Sequence, residues 1–259
     1  MVGLQSRTAV VTGAGRGIGR ATAIALAEAG ARVAVLARSS SEISAASSQL
    51  LKAGHRAIGV NADVSDLGSL RTAFEQVAAE LGPVDVLVNN AGVTWPLGPT
   101  AEVDSEEWMA AVSVNLGGAL RCSRLVLPGM VERGWGRIVN VTTGAARPPG
   151  LLRASAYSAS KAGLNQLTLN LAAELQDTGV NVCAVDPGPI DTGMQDFMRS
   201  QSELLGPEVG AMFHRFHETG QLRDPTEPAR LIAVLAASEV TGEIVGLSSD
   251  RAAQLLAGG

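Results

Sequence analysis

The segment that most constrains the fold lies near the amino end. A short apolar strand, residues 9–11, runs directly into a glycine-rich stretch, residues 12–19 (T-G-A-G-R-G-I-G), and residues 20–29 then have the alanine-rich composition of a helix. A glycine turn between a strand and a helix presents free backbone N–H groups and the positive end of the helix to a pyrophosphate. The segment therefore predicts a dinucleotide site whose candidate residues are Gly13, Arg16, Gly17, Ile18 and Gly19.

The same alternation of strand and helix continues along the chain. The further predicted strands are 32–37, 57–60, 84–88, 136–141 and 180–185, and the further predicted helices are 41–53, 69–81, 104–127 and 157–175. Unbroken alternation predicts an α/β fold with one doubly wound parallel sheet, in a single domain over residues 1–259. Hydrophobic residues make up 46% of the chain but aromatic residues only 3%, so Ala, Val, Leu and Ile fill the interior, which suits a sheet covered on both faces.

The end of the second strand bears on the choice of cofactor. An acidic side chain there would bind the adenosine ribose hydroxyls of NAD, but the position is Ala37, followed by Arg38 and Ser39. A guanidinium and a hydroxyl suit a 2′-phosphate, so the sequence favours NADP(H) over NAD(H), unless Arg38 is simply a solvated surface residue.

Small or polar residues follow the next two strands. Asp63 and Val64 come just after the third strand, where Asp63 is suited to accept from the adenine amino group or to cap the next helix. Residues 89–92 (N-N-A-G) follow the fourth strand and allow a cofactor to approach the backbone closely. The predicted helix 104–127 contains Asn115, Gly117 and Gly118, which cost helix stability and indicate either a functional site or a close helix contact.

A tyrosine and a lysine are placed for proton transfer. Tyr157, the only tyrosine of the chain, stands four residues before Lys161, so on a helix both side chains lie on one face. A neighbouring ammonium favours phenolate, and we therefore expect Lys161 to lower the pKa of Tyr157.

With these motifs in this order, the chain resembles the single-domain short-chain dehydrogenase/reductase family over nearly its whole length to about residue 195. The resemblance implies a Rossmann-type fold with a seven-stranded parallel sheet, a dimer or tetramer, and reversible hydride transfer between NAD(P) and a small-molecule alcohol or carbonyl. It implies that Tyr157 is the general acid/base, that Lys161 holds the nicotinamide ribose, and that the Asn115 backbone helps to hold a relay water. It further implies that Thr143 hydrogen-bonds the substrate oxygen. The implied cofactor contacts are the phosphate turn, Asp63, Val64, Asn89, Ala91, Gly92, Tyr157, Lys161, Pro187, Gly188, Ile190 and Thr192.

The sequence departs from the family pattern in three places. Thr143 replaces the usual serine, and it stands fourteen residues before Tyr157, one more than in many members. At the carboxyl end, residues 247–251 (L-S-S-D-R) replace the usual aspartate and paired glycines, which bears on the mode of assembly.

Residues 191–224 are predicted to cover the substrate. Their Met, Phe and Leu side chains suit an apolar, adaptable lid and hence a hydrophobic ketone or alcohol, although two amphipathic helices that only shield the core would have the same composition. Arg147 and Arg153 precede the Tyr157 helix and could meet an anionic substrate, or could be ordinary surface arginines.

Composition argues against other partners and compartments. The net charge of −5 comes without a basic cluster, which argues against nucleic acid, and no apolar run or amino-terminal signal points to a membrane or to export. Cys122 and Cys183 have no metal-ligand spacing, and His214 and His217 lack a third ligand, so we expect no metal site and buried thiols in the cytoplasm. Two alternatives remain open at this point: a cofactor-binding regulator, and an epimerase or dehydratase without net redox turnover.

Overall fold

The computed structural model describes residues 3–258 and contains one parallel sheet of seven strands. The strands are β1 (Thr8–Thr12), β2 (Arg32–Ala37), β3 (Ala57–Asn61), β4 (Val86–Asn89), β5 (Gly136–Val141), β6 (Val180–Asp186) and β7 (Ile244–Gly246). Their order in the sheet is β3-β2-β1-β4-β5-β6-β7, so the chain reverses direction of winding between β1 and β4. The predicted fold class is confirmed, and a ligand crevice is expected where the winding reverses, at the carboxyl ends of the strands.

Helices cover both faces of this sheet. They are α1 (Gly17–Glu28), α2 (Ser40–Lys52), α3 (Leu67–Leu81), α4 (Ser105–Val112), α5 (Gly118–Glu132), α6 (Ser155–Glu174), α7 (Gly193–Ser200), α8 (Ser202–Glu218), α9 (Thr226–Ala237) and α10 (Asp250–Gly258). One buried apolar cluster joins one face to α1 and α9, and a second joins the other face to α3 and α5. The central strands β1, β4 and β5 are buried throughout, including the polar Arg137 and Asn140 of β5.

The structure corrects two predicted elements. The helix predicted over 104–127 is interrupted by a π-helical turn, Ser113–Gly117, which separates α4 from α5. The α3 helix is capped by Asp66, whose carboxylate accepts from the N–H groups of Gly68 and Ser69, so Asp63 is not the cap. Asp63 instead accepts from the backbone and hydroxyl of Ser65.

Candidate active site

The glycine turn lines a cavity of about 620 Å³ at the carboxyl ends of β1, β2 and β4. Gly13 and Gly17 have φ angles of 65° and 53°, a region that favours glycine. At Gly19 a Cβ atom would lie 2.4 Å from the carbonyl oxygen of Gly13, so no larger residue fits this turn without displacing it. The helix α1 begins at Gly17, and its amino end therefore faces the cavity with its N–H groups. This cradle of bare backbone fits a dinucleotide pyrophosphate.

The adenosine end of this cavity contains paired charges. The four residues predicted there all line it: Arg38, Ser39, Asp63 and Val64. The Arg38 guanidinium lies 3.9 Å from the carboxylate of Asp63, and it remains 65% exposed. Hydrogen bonds from Ser65, aided by the charge of Arg38, hold the pKa of Asp63 below its usual value despite the opposing effect of burial.

One acidic side chain in this region was not predicted. Glu42, in the first turn of α2, lines the same cavity and lies 3.8 Å from Arg16. The end of β2 itself offers no carboxylate, because the residue there is Ala37. Glu42 reaches the cavity because α2 begins there, with Ser39 as its cap, and folds back over the glycine turn.

The structure also corrects one member of the predicted nucleoside wall. Asn89 is buried between strands, where its amide donates to Asn140 and Ser123, and it lines neither cavity. Asn90 lines both cavities instead, and its amide donates to the carbonyl oxygens of Thr12 and Gly13. Ala91 and Gly92 lie where they were expected.

A second cavity, of about 750 Å³, adjoins the first. Thr143, Tyr157 and Lys161 line it together. So do Pro187, Gly188, Ile190 and Thr192, the predicted nicotinamide segment. The two cavities are neighbours, because six residues line both: Ile18, Asn90, Gly92, Thr94, Thr192 and Met194.

Burial dominates the electrostatics of the tyrosine and lysine. It raises the pKa of Tyr157, and the charge of Asp186 raises it further, while the Thr143 hydroxyl lowers it. Burial also lowers the pKa of Lys161 to about 8, although its ammonium donates to the Val141 carbonyl at 2.7 Å. Burial therefore decides the direction of the Tyr157 shift in the protein alone, and a lowering of this pKa by Lys161 stays a prediction.

Asn115 lies in the π-helical turn between α4 and α5. Its side-chain oxygen accepts from the Val93 N–H at 2.8 Å, and its amide donates to the Val93 carbonyl at 2.9 Å and to the Ser160 hydroxyl at 3.0 Å. The side chain is thus fully used in joining three segments around Lys161. Only the backbone of Asn115 is therefore available for other contacts. This backbone lies in a π-helical turn, where the usual helical hydrogen bonding is altered.

Two charged residues in the second cavity form an ion pair. Asp186, the last residue of β6, accepts from the Arg147 guanidinium at 2.7 Å and from the Gly188 N–H at 3.1 Å. Arg147 is a predicted candidate for anion binding, whereas Asp186 is not, because the predicted strand ends at residue 185, one residue before it. By contrast, Arg153 does not line the cavity, and its side chain donates to the Leu204 carbonyl.

Residues 191–224 form α7 and α8, with α8 kinked at Gly206. Met198 and Phe213 are buried in one apolar cluster with Tyr157, and both line the second cavity. Met194 and Phe197 are 38% exposed and face the first cavity. The segment therefore both lines the cavities and closes a small core, and its role as a substrate lid stays a prediction.

Neither a metal cluster nor a membrane span is found in residues 3–258. No three His, Cys, Asp or Glu side chains there lie together in a way that could hold a metal ion. His214 instead hydrogen-bonds the Ser202 hydroxyl at 2.9 Å. None of the helices in this part of the chain is long and apolar enough to cross a bilayer.

A dinucleotide cradle that opens onto a pocket with a hydroxyl, a phenol and an ammonium defines a nicotinamide-dependent oxidoreductase with a Rossmann-type fold. Comparison with known proteins assigns the family. The family model of short chain dehydrogenases matches residues 7–203. The chain is 39% identical to a cis-4-hydroxycyclohexanecarboxylate dehydrogenase of Sinomonas cyclohexanicum, over 93% of this chain and 94% of that protein.

Solved structures agree with this assignment. A variant of actinorhodin polyketide ketoreductase, solved with NADPH, has a TM-score of 0.84 and 36% identity, over 93% of this chain and 95% of that one. A provisionally assigned NAD(P)-dependent gluconate 5-dehydrogenase from Beutenbergia cavernae, solved with NADP, has a TM-score of 0.84 and 34% identity, over 95% and 96% of the two chains.

The protein belongs to the short-chain dehydrogenase/reductase family and is an oxidoreductase that transfers a hydride with a nicotinamide cofactor. Relatives with dehydrogenase and ketoreductase activity do not favour the regulator or epimerase alternatives.

Proposed function

We propose that the protein interconverts a ketone and a secondary alcohol, with NADPH as the preferred reductant and a largely apolar substrate. The observation that carries this proposal is that the two cavities share lining residues. Thr192 and Met194 line both, so a dinucleotide in the first would extend into the second beside Thr143, Tyr157 and Lys161. The relative that acts on a hydroxycyclohexane ring supports a secondary alcohol as the substrate group.

In this proposal the chain's own residues bind the substrate oxygen and supply the proton. The nicotinamide cofactor, when bound, supplies or accepts the hydride. The Thr143 and Tyr157 hydroxyls both donate to the carbonyl oxygen, and Tyr157 gives up its proton as that oxygen gains charge. Lys161 stabilises the resulting phenolate. Because burial alone raises the pKa of Tyr157, the ammonium has to be charged for this step, and a Lys161 pKa of about 8 leaves it mostly protonated at neutral pH.

The substrate pocket has a mixed wall. Its lid side is mainly apolar: Gln195 is polar, and the other side chains there are Met194, Met198, Met212, Phe213 and Phe216. Flexible methionines and edge-to-face aromatics allow such a wall to fit rings or short chains. The reacting end is polar, as an oriented carbonyl requires.

We propose NADPH over NADH on the residues at the adenosine end. Ala37 leaves the ribose without a carboxylate, and Arg38 and Ser39 line the cavity beside it. The neighbours solved with NADPH and NADP support this choice. The variant Ala37→Asp should move the ratio of kcat/KM values toward NADH by about 10-fold or more, since a carboxylate repels the phosphate and binds the ribose. An unchanged ratio would contradict this assignment.

The test of the activity is oxidation of NADPH, followed by absorbance, over a panel of cyclic and linear ketones. We expect turnover of at least one apolar ketone, and we expect Tyr157→Phe to lower kcat at least about 100-fold because general acid catalysis is lost. The dissociation constant for NADPH should change little in that variant. If Tyr157→Phe keeps more than about a tenth of wild-type kcat, Tyr157 is not the proton donor.

We also propose that the protein is a cytoplasmic homo-oligomer, a dimer or a tetramer. Met109, Leu120 and Leu169, on α4, α5 and α6, are each at least 37% exposed, which supports an apolar contact between copies. Cys122 and Cys183 are buried free thiols, which suits a reducing compartment. Light scattering after size exclusion tests the assembly, and cell fractionation tests the location.

A further inference from the structure

Three charged side chains line the substrate cavity in the described part of the chain: Arg147, Lys161 and Asp186. Lys161 is buried and donates to the Val141 carbonyl, beside the tyrosine. Arg147 and Asp186 take no part in the proton transfer proposed above. They form a separate polar feature in an otherwise largely apolar pocket.

The pair is built so that Asp186 positions Arg147. The Asp186 side chain is only 10% exposed, and one of its oxygens is held by the Gly188 N–H at 3.1 Å. The other oxygen accepts from Nη2 of Arg147 at 2.7 Å. A guanidinium has five N–H donors in a fixed plane, and the Arg147 side chain is 72% exposed. Its remaining donors are therefore available to a ligand in the cavity.

This guanidinium lies close to the reacting groups. Gly144, which directly follows Thr143, lies beside the pair. A Cβ atom at Gly144 would lie 3.5 Å from both Nη2 of Arg147 and an Asp186 oxygen. The Asp186 charge also acts on the Tyr157 phenol, which places the pair on the tyrosine side of the pocket. The lid wall of Met and Phe side chains leaves an apolar space for the body of a substrate.

We propose that Arg147 binds a carboxylate of the substrate and that Asp186 is its positioning residue. The substrates are then oxo acids with a compact apolar body, and the products are the matching hydroxy acids. This inference rests on the proposed ketone reduction. A planar guanidinium fixed by one carboxylate binds a second carboxylate along its free edge. A phosphate dianion suits the site less well, because one guanidinium must already balance Asp186.

The test compares an acid with its neutral ester. The probes are 4-oxocyclohexanecarboxylate and its methyl ester, assayed with NADPH on the wild type, Arg147→Gln, Arg147→Lys and Arg153→Gln. We expect the wild type to prefer the acid, and Arg147→Gln to lower the acid-to-ester ratio of kcat/KM by about 10- to 100-fold, as for a lost charge-assisted hydrogen bond. Arg147→Lys should recover part of the ratio. Arg153→Gln, from the same loop but outside the cavity, should leave the ratio unchanged.

A double variant separates binding from repulsion. Arg147→Gln alone leaves Asp186 unpaired, which by itself repels an anion. In Arg147→Gln with Asp186→Asn both charges are absent, and the preference for the acid should still be lost, mainly through a higher KM. If the double variant keeps the wild-type preference, Arg147 does not bind the carboxylate.

Binding without turnover gives an independent measurement. Calorimetric titration of the NADP⁺-loaded protein with cyclohexanecarboxylate should give a dissociation constant about 10-fold or more lower for the wild type than for Arg147→Gln. Reduction of the ester with no preference for the acid would overturn this inference and leave the proposed function standing. Oxidation of NADPH with neither probe nor any ketone of the panel, together with no binding of cyclohexanecarboxylate, would overturn both.

Discussion

Lys161 provides a quantitative test of the electrostatics of the site. The chain has two lysines, and Lys161 is only 3% exposed. Burial lowers its pKa from 10.5 to about 8. At about 1.4 kcal/mol per pH unit, keeping this ammonium charged in the folded protein costs about 3 kcal/mol at neutral pH.

Replacing it with methionine should therefore stabilise the protein while it removes activity. Lys161→Met relieves the cost of about 3 kcal/mol but loses the hydrogen bond to the Val141 carbonyl, worth about 1 kcal/mol. The net gain of about 2 kcal/mol at pH 7 corresponds to a rise in Tm of about 4 to 8 °C for a chain of this size. A substitution that stabilises the fold and removes activity is the expected result where an active site is built at a cost in stability.

The pH dependence distinguishes this cause from a general packing effect. The folded-state pKa lies below the unfolded one, so between about pH 8 and pH 10.5 the unfolded chain binds more protons and the wild type gains stability as the pH rises. The advantage of Lys161→Met should then shrink to about zero near pH 10, where the remaining cost of about 1 kcal/mol matches the lost hydrogen bond.

Thermal unfolding of the cofactor-free protein, at one scan rate and at both pH values, measures this difference. Lys52→Met, at an exposed position on α2, is the matched control and should show no such change with pH. No gain at pH 7, or an equal gain at both pH values, would refute the assigned burial cost of the ammonium.

Three further predictions concern single residues. Thr143→Ser should keep kcat within about 5-fold while Thr143→Val should lower it about 100-fold, because the hydroxyl rather than the methyl binds the substrate oxygen; steady-state kinetics would contradict this if Val were tolerated. Gly19→Ala should weaken NADPH binding at least about 10-fold in a fluorescence titration, since its Cβ would meet the Gly13 carbonyl, and unchanged affinity would show that the turn can shift. Asn115→Ala removes three hydrogen bonds of a buried side chain and should lower the free energy of unfolding by about 3 kcal/mol, or Tm by about 6 to 12 °C. A loss under about 1 kcal/mol would mean that water or a neighbouring group replaces its contacts to Val93.

The parts of the fold that the sequence predicted are those set by local pattern. The strands have largely apolar sequence, which predicts their burial. The closely spaced glycines between an apolar run and an alanine-rich run predict a tight turn, so β1, the turn and α1 can be predicted from the sequence. The only sign of the π-helical turn in the sequence is the low helix propensity of Asn115, Gly117 and Gly118. Its form depends on how α4 and α5 pack, which no local propensity contains.

What the sequence could not supply at the site depends on side-chain direction and on burial. Asn89 and Asn90 are adjacent and chemically identical, and the twist and end of β4 decide the direction of each, so the sequence alone could not tell which of the two lines the cavities. Glu42 and Asp186 reach the cavities from elements whose placement depends on the whole sheet. The pKa of Tyr157 depends on burial, which spacing alone cannot supply.

The side chains shared by the two cavities have a thermodynamic consequence. Thr192, at the start of α7, and Met194, within α7, line both cavities. A ligand in one cavity that fixes these two side chains would therefore change the free energy of binding a second ligand in the other cavity. Such coupling is reciprocal by necessity. A substrate analogue that tightens NADPH binding about 10-fold must itself bind about 10-fold more tightly once NADPH is in place. The amino end of α7 would thus make the binding of substrate and NADPH cooperative.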